Sequence, residues 1–343
     1  MNRLFKCLPS TSSMRALSSI EAQKALPEHM KVFDRNAKRR QRDWSFTHKD
    51  FEAAQYLKEE VGWRVADKVF DLTKFNELAL DIGCGIGHIA PHMIKENIGK
   101  LIQCDMSQVL VENSKGCDDD EVVIERVHCD EELLEPFHKE QFDLLLSSLS
   151  AHWINDLPGW FQRCFEILKP DGAFIGTMLA EDTLYELRCS LQLAEIERVG
   201  GVGSHISPFV KAQDIGGLLG KAGFDMITLD TDEIEVGYPN MFALLYDLQL
   251  MGESNCTYRR SPSVRRDVLL AADCIYKAMY AKDEKYPATF RLVSYIGWKP
   301  GPLMPKPAKR GSQNVSLKDI GKLVENPELL KKLSDTKEGK EKK

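Results

Sequence analysis

Asp81-Ile-Gly-Cys-Gly-Ile-Gly87 sets a carboxylate two residues ahead of three glycines at alternate positions. Glycines so placed let the main chain turn sharply and come close to a ligand. The spacing G-x-G-x-G departs from the dinucleotide fingerprint G-x-G-x-x-G, and no Lys-Ser or Lys-Thr follows as a phosphate loop requires. A carboxylate at the mouth of the turn suits a cationic ligand better than a pyrophosphate. Two more acids stand at the ends of later apolar runs. Asp105 closes Lys100-Leu-Ile-Gln-Cys-Asp105, where one carboxylate can accept two adjacent ribose hydroxyls. Asp130 follows Glu121-Val-Val-Ile-Glu-Arg-Val-His-Cys129. His152 comes just after a fourth run, Gln141 to Ser148, and is the best-placed base for an acceptor that must lose a proton; with Trp153 it equally fits a packing role. His128-Cys129-Asp130 is formally H-x-D, with His138, His152 and His205 downstream, the residue types of a non-haem iron triad. The surrounding pattern is not that of a double-stranded barrel, which weighs against a triad there.

The elements that must position these residues alternate. Leu78, Ala79, Leu80 and Ile82 form the apolar run of a parallel strand covered on both faces. Helix-forming sequence follows the glycines from Ile89 to Ile94, with Pro91 tolerated in a first turn. Strands ending at Asp105, Cys129, Ser148 and Leu179 are separated by helical stretches around Val109–Val111 and Phe161–Leu168, and Lys169-Pro-Asp-Gly172 reads as a turn. This is the order of a doubly wound α/β sheet. Beyond it, helices are expected over Asp182 to Val199, Asp214 to Gly223, Met241 to Met251 and Asp267 to Ala281. Strands are expected over Phe224 to Val236 and Thr289 to Trp298, the latter closing the sheet antiparallel. Residues 238–287 read as a helical lid or docking insertion. Upstream, Glu52 to Phe70 has helical periodicity. Arg35 to Arg42 carries five basic residues, pointing to an anionic partner or, more simply, to a solvated helical arm.

Composition narrows the class. In 343 residues, 43% hydrophobic and 29% charged content are ordinary for a globular protein, and a net charge of −6 argues against a nucleic-acid binder. Nine cysteines stand without C-x-x-C pairs, so neither zinc spacing nor a disulfide framework is legible and a reducing compartment is implied. Met1 to Ile20 has Arg3, Lys6 and Arg15, no acid and five serines, which reads as a mitochondrial transit peptide over 1–26 or a disordered tail. The organisation that follows is a basic arm and leading helix over 27–70, a domain over 71–300, and a proline- and lysine-rich tail over 301–343.

Asp81-Ile-Gly-Cys-Gly-Ile-Gly87, Ser147-Ser-Leu-Ser-Ala-His-Trp153, Asn155-Asp-Leu-Pro158 and Leu168-Lys-Pro-Asp-Gly172 together resemble the class I S-adenosylmethionine (SAM) methyltransferases, including the malonyl-carrier-protein methyltransferases of biotin synthesis. Phe33-Asp-Arg35, Asp182-Thr-Leu-Tyr-Glu-Leu-Arg188, Ser207-Pro208, Thr231-Asp-Glu-Ile234, Tyr238-Pro239, Met251-Gly-Glu-Ser-Asn255 and Ile296-Gly-Trp-Lys299 carry a narrower resemblance. It is to the mitochondrial complex I assembly factors of methyltransferase fold, the arginine hydroxylase family. The resemblance implies a seven-stranded, mostly parallel Rossmann-like sheet and SAM as cofactor. It also implies a cofactor-binding set of Asp81, Gly83, Gly85, Gly87, Asp105, Met106, Cys129, Asp130 and Ser147, with Asp130 meeting the adenine amino group. The implied activity is hydroxylation of an arginine on a matrix-side subunit of complex I during early assembly, at the matrix face of the inner membrane, with other assembly factors as partners. Two other readings stay open: methyl transfer to a carrier protein or small molecule, and a non-catalytic chaperone in which SAM supports the fold.

Overall fold

Seven runs rich in apolar residues form the strands of the computed structural model, which describes residues 30–261 and 263–304. They are β1 (Asn76–Ile82), β2 (Ile98–Asp105), β3 (Val123–His128), β4 (Phe142–Ser148), β5 (Leu168–Leu179), β6 (Asp225–Tyr238) and β7 (Tyr286–Trp298). They lie in one sheet of order β3-β2-β1-β4-β5-β7-β6. The first five strands are parallel, and β7 runs antiparallel between β5 and β6. This is the seven-stranded, mostly parallel sheet that the resemblance implied.

The order reverses between β1 and β4, so the loops leaving their carboxyl ends diverge. An open α/β sheet binds ligands in the crevice this creates. The glycine turn after β1 and the Ser147–His152 stretch at the end of β4 therefore border the same crevice.

Helices cover both faces. They are α1 (Arg35–Phe46), α2 (Tyr56–Phe70), α3 (Gln108–Glu112), α4 (Leu157–Ile167), α5 (Tyr185–Arg198), α6 (Ala212–Ala222), α7 (Met241–Leu250) and α8 (Arg266–Tyr280). Successive strand residues serve opposite faces. Ala79, Leu144 and Leu146 join Val61 and Val65 of α2, Leu187 of α5, Leu244 of α7 and Tyr276 of α8 in one core. Leu80 and Leu145 join Phe161 of α4 and Leu219 of α6 in the other. Gly223, with φ of 105°, ends α6 as the sequence predicts.

Two local expectations are corrected. After the glycine turn there is only one turn of 3-10 helix, Ala90–His92, before Met93 becomes extended. Pro91 sits in that turn, β2 begins again at Ile98, and α2 packs against the loop so closely that a Cβ at Gly62 would lie 2.6 Å from the His88 carbonyl oxygen. A regular helix has no room to run there. The Lys169–Gly172 turn, in turn, is a bulge inside β5: Phe142 pairs with Leu168 but Leu144 pairs with Ala173, and Asp171 turns the chain at φ 59°.

The transit-peptide segment 1–26 and the tail beyond Met304 lie outside the described residues. Among the described helices, none is long and apolar enough to cross a membrane.

Candidate functional site

The glycine turn is tied to the neighbouring strand. The N–H groups of Gly83 and Cys84 both donate to the Cys104 carbonyl, at 2.8 and 2.9 Å. Gly83, Gly85 and Gly87 all take left-handed backbone angles, φ 71°, 57° and 78°. A Cβ on Gly83 would overlap Ser150 Oγ, and one on Gly87 would lie 2.9 Å from the Lys115 carbonyl oxygen. At Gly85 a Cβ would meet nothing within 4 Å, so this residue is the open floor of the turn.

Asp81, the last residue but one of β1, is fully buried and neither carboxylate oxygen has a hydrogen-bond partner. Burial, reinforced by Asp105, pushes its pKa up to about 8. The hydroxyls of Ser147, Ser148 and Ser150 at the end of β4 are likewise without partners. Buried polar atoms are nearly always hydrogen-bonded, so orphans gathered at the crevice suit a polar ligand. An ammonium or sulfonium beside Asp81 would also relieve its buried charge.

The acids at the next strand ends are engaged by α1. Asp105 accepts from Ser107 N at 2.8 Å and Gly85 N at 3.1 Å, and Arg42 Nη1 stands 3.2 Å from both of its oxygens. The same Nη1 is 3.2 Å from Glu131 Oε1, and Glu131 Oε2 accepts from Met106 N. Arg35 pairs with Asp130 at 2.7 Å and with Glu131 at 3.2 Å. Burial opposes the Arg42 charge, but Asp105 and Glu131 outweigh it and raise its pKa. Burial likewise works against the Glu131 carboxylate, and Arg35 and Arg42 overcome it to hold its pKa low. Cys129 is buried at the end of this stretch. The H-x-D pair does not converge: His128 Nε2 contacts the Met106 carbonyl, Asp130 holds Arg35, and His205 pairs with Glu195.

The basic stretch is therefore not a solvated arm. Arg35, Lys38 and Arg42 fall on one face of α1, and Lys38 and Arg42 are buried, while Arg39 and Arg40 face outward. The signal was present in the i, i+3, i+7 spacing, which a count of charges does not see. Replacing Arg42 by Met leaves Asp105 and Glu131 as buried acids short of a counter-charge. Such a change destabilises by about 3–5 kcal/mol. R42M is thus expected to lower Tm by on the order of 10 °C at neutral pH, less in mild acid where the carboxyls protonate. Thermal unfolding followed by circular dichroism measures both; an unchanged Tm would refute the account.

A second buried cluster joins α1 to the segment after α7, and its central acid, Glu253, escaped the sequence reading. Glu253 Oε2 accepts from His152 Nε2 at 3.0 Å and from Trp153 Nε1 at 2.9 Å. Oε1 lies 3.3 Å from Lys58 Nζ, whose hydrogen bond goes to the Met251 carbonyl. Lys38 Nζ donates to the carbonyls of Gly252 and Ser254, both at 2.8 Å, and stands 3.3 Å from the centre of the Trp153 ring. Burial pushes Lys38 down to about 7. Burial would raise the Glu253 pKa, yet Lys58, His152 and Lys38 together hold it well below the carboxylate range. Burial also lowers His152, outweighing Glu253, so the imidazole is neutral at neutral pH. With Nε2–H committed to Glu253, Nδ1 has no partner and carries a lone pair. A carboxylate that orients a histidine in this way is one half of general-base machinery.

Residues 80–176 match the family model described as "Methyltransferase domain". The chain is 50% identical over 315 residues to "Arginine-hydroxylase NDUFAF5, mitochondrial" of Danio rerio, covering 92% of this chain and 97% of that protein. It is 50% identical over 298 residues to the Homo sapiens protein of the same name, covering 87% and 85%. A more distant similarity, 29% over 266 residues and covering 73% and 84%, is to a "Malonyl-[acyl-carrier protein] O-methyltransferase" of a Methylovorus strain.

Proposed function

Because this chain belongs to the mitochondrial arginine-hydroxylase family of those relatives, we propose that it hydroxylates an arginine on a matrix-side subunit of respiratory complex I, at the inner membrane's matrix face, and serves early assembly of that complex. The observation that carries the reading is the extent of the match. It spans 92% of the chain, and so takes in α1 and the Met251–Asn255 segment as well as residues 80–176. A shared SAM fold alone would leave those two pieces free to differ.

SAM is the cofactor that the site fits. Asp81 would hold its ammonium, the main chain at Gly85 would lie against it, and Asp105 with Asp130 would take the adenosine end in exchange for Arg42 and Arg35. Gly83, Gly87, Met106, Cys129 and Ser147 would complete the wall of that site. When bound, SAM supplies an electrophilic methyl group on a sulfonium. The chain's own part is to bind and orient, and at His152 Nδ1 to accept a proton.

That free lone pair favours a second reading, methyl transfer to a protein or small-molecule acceptor. Mass spectrometry of complex I subunits from cells with and without this protein separates the readings. An arginine lighter by one oxygen in its absence supports the hydroxylase, loss of one methylene supports the methyltransferase, and no change supports a chaperone without catalysis. Residues 1–26 act as the mitochondrial address in this proposal. A reporter fused to residues 1–30 is expected in mitochondria, and cytosolic retention would overturn the assignment.

A further inference from the structure

A cavity of about 300 Å³ lies between α5, α7 and β7. Its wall is apolar, with Leu184 just before α5, Leu187 and Leu191 from α5, Leu245 and Leu248 from α7, and Phe290 from β7. Its polar lining includes Ser207, Glu253 and Asn255. Resting on the arginine-hydroxylase reading, we propose that this cavity receives the acceptor arginine, its stem along the leucines and its guanidinium at Glu253.

A buried carboxylate and an orphaned hydroxyl support a donor-rich guest. Glu253 is buried, and its Oε1 faces Lys58 Nζ at 3.3 Å with no other polar partner. Ser207 Oγ is buried and without a partner. A guanidinium offers five N–H donors in a fixed fork and pairs bidentately with a carboxylate. The methylenes before it pack on apolar surface as long basic side chains do. A wholly apolar guest would leave Ser207 Oγ unmet, and a carboxylate would face Glu253 with like charge. The arriving cation does not overload the cluster, because Lys38, pushed down to about 7, can release its proton. Glu253 also holds His152, which follows β4 at the crevice, so the guest's head is delivered beside the cofactor site.

A larger groove of about 1020 Å³ shares His205 and Ile206 with this cavity and carries Lys31, Arg188 and Arg259, with no acid along it. Free arginine meets three positive groups there, whereas an arginine flanked by acids is drawn in. The acceptor is accordingly an arginine within an acidic segment.

The Trp153 indole N–H, which donates to Glu253 Oε2 at 2.9 Å, is a built-in reporter. The full chain, labelled at indole nitrogen, is titrated with N-acetyl-Glu-Arg-Glu-amide and with its citrulline counterpart, a neutral isostere. The arginine peptide is expected to move the indole resonance and the citrulline peptide to bind at least about tenfold more weakly, as loss of a charge-assisted pair implies. Glu253→Gln and the cavity-filling Leu187→Trp, each checked for native circular dichroism, should abolish the response. Equal response to both peptides, no response in the wild type, or a response surviving L187W would overturn the assignment. The same variants expressed in cells lacking the protein keep the two readings apart. Restored arginine hydroxylation by both variants at the wild-type level refutes the cavity and leaves the hydroxylase reading standing. Peptide binding as described, with no hydroxylated arginine even from the wild type, refutes the hydroxylase reading and leaves an arginyl-peptide site.

Discussion

Gly85→Ala is expected to fold and to bind SAM at least about tenfold more weakly than the wild type, since it places a methyl group where only backbone can approach the ligand. The variant separates binding from folding. No protein atom lies within 4 Å of the added Cβ, so no neighbour has to move. What remains is the left-handed backbone at φ 57°, which costs about 1–2 kcal/mol for a residue with a side chain. A fall in Tm of a few degrees accompanies that, about 2–4 °C per kcal/mol. Gly83→Ala makes the contrast. Its backbone is equally left-handed at φ 71°, but its Cβ overlaps Ser150 Oγ, so its stability falls further and its loss of binding is not separable from misfolding. Calorimetric titration with SAM and thermal unfolding of both variants test this. Wild-type affinity in G85A would remove SAM from the glycine turn.

The sheet was legible because its strands are governed by local pattern. Leu78 to Ile82 and Phe142 to Ser148 are apolar runs of strand length, and the glycines after Asp81 mark where the chain must turn. The positions of the acids were legible for the same reason: Asp81 and Asp105 lie at the ends of β1 and β2, and Asp130 follows β3. The missing helix after Gly87 was not, because what prevents it is distant in sequence, the close approach of Gly62 in α2 to His88. The roles of Arg42 and Glu253 were hidden for a related reason. Arg42 meets Asp105 and Glu131, and Glu253 meets His152 and Lys58, across long stretches of sequence. In a linear reading each is one more charge on an expected surface. Burial of ions is decided by partners, and partners this far apart leave no periodic trace.

Those partners make Asp81 stand out, since it alone among the buried acids Asp81, Asp105, Glu131 and Glu253 has neither hydrogen bond nor cation. Without SAM, Asp81→Asn is expected to leave stability nearly unchanged at about pH 4 and to raise it by several kcal/mol at about pH 9. The sign follows from its pKa of about 8 in the folded chain, above the ordinary carboxylate value near 3.9. Between the two the folded state holds the proton that the unfolded state has released, so wild-type stability falls as pH rises through this window. Each unit of displacement is worth about 1.4 kcal/mol, and asparagine, which does not ionise, escapes the whole penalty. Denaturant unfolding at the two pH values measures it, and an equal effect at both would refute a buried, unpaired carboxylate. Ligand binding should show the reverse preference. An ammonium beside Asp81 favours the ionised form, so below about pH 7.5 wild-type binding of SAM should release close to one proton and tighten as pH rises. D81N should bind more weakly and release none. Calorimetry in buffers of different ionisation enthalpy counts that proton; finding none in the wild type would mean that Asp81 is not the cofactor's counter-charge, and that its strain serves something else in the crevice.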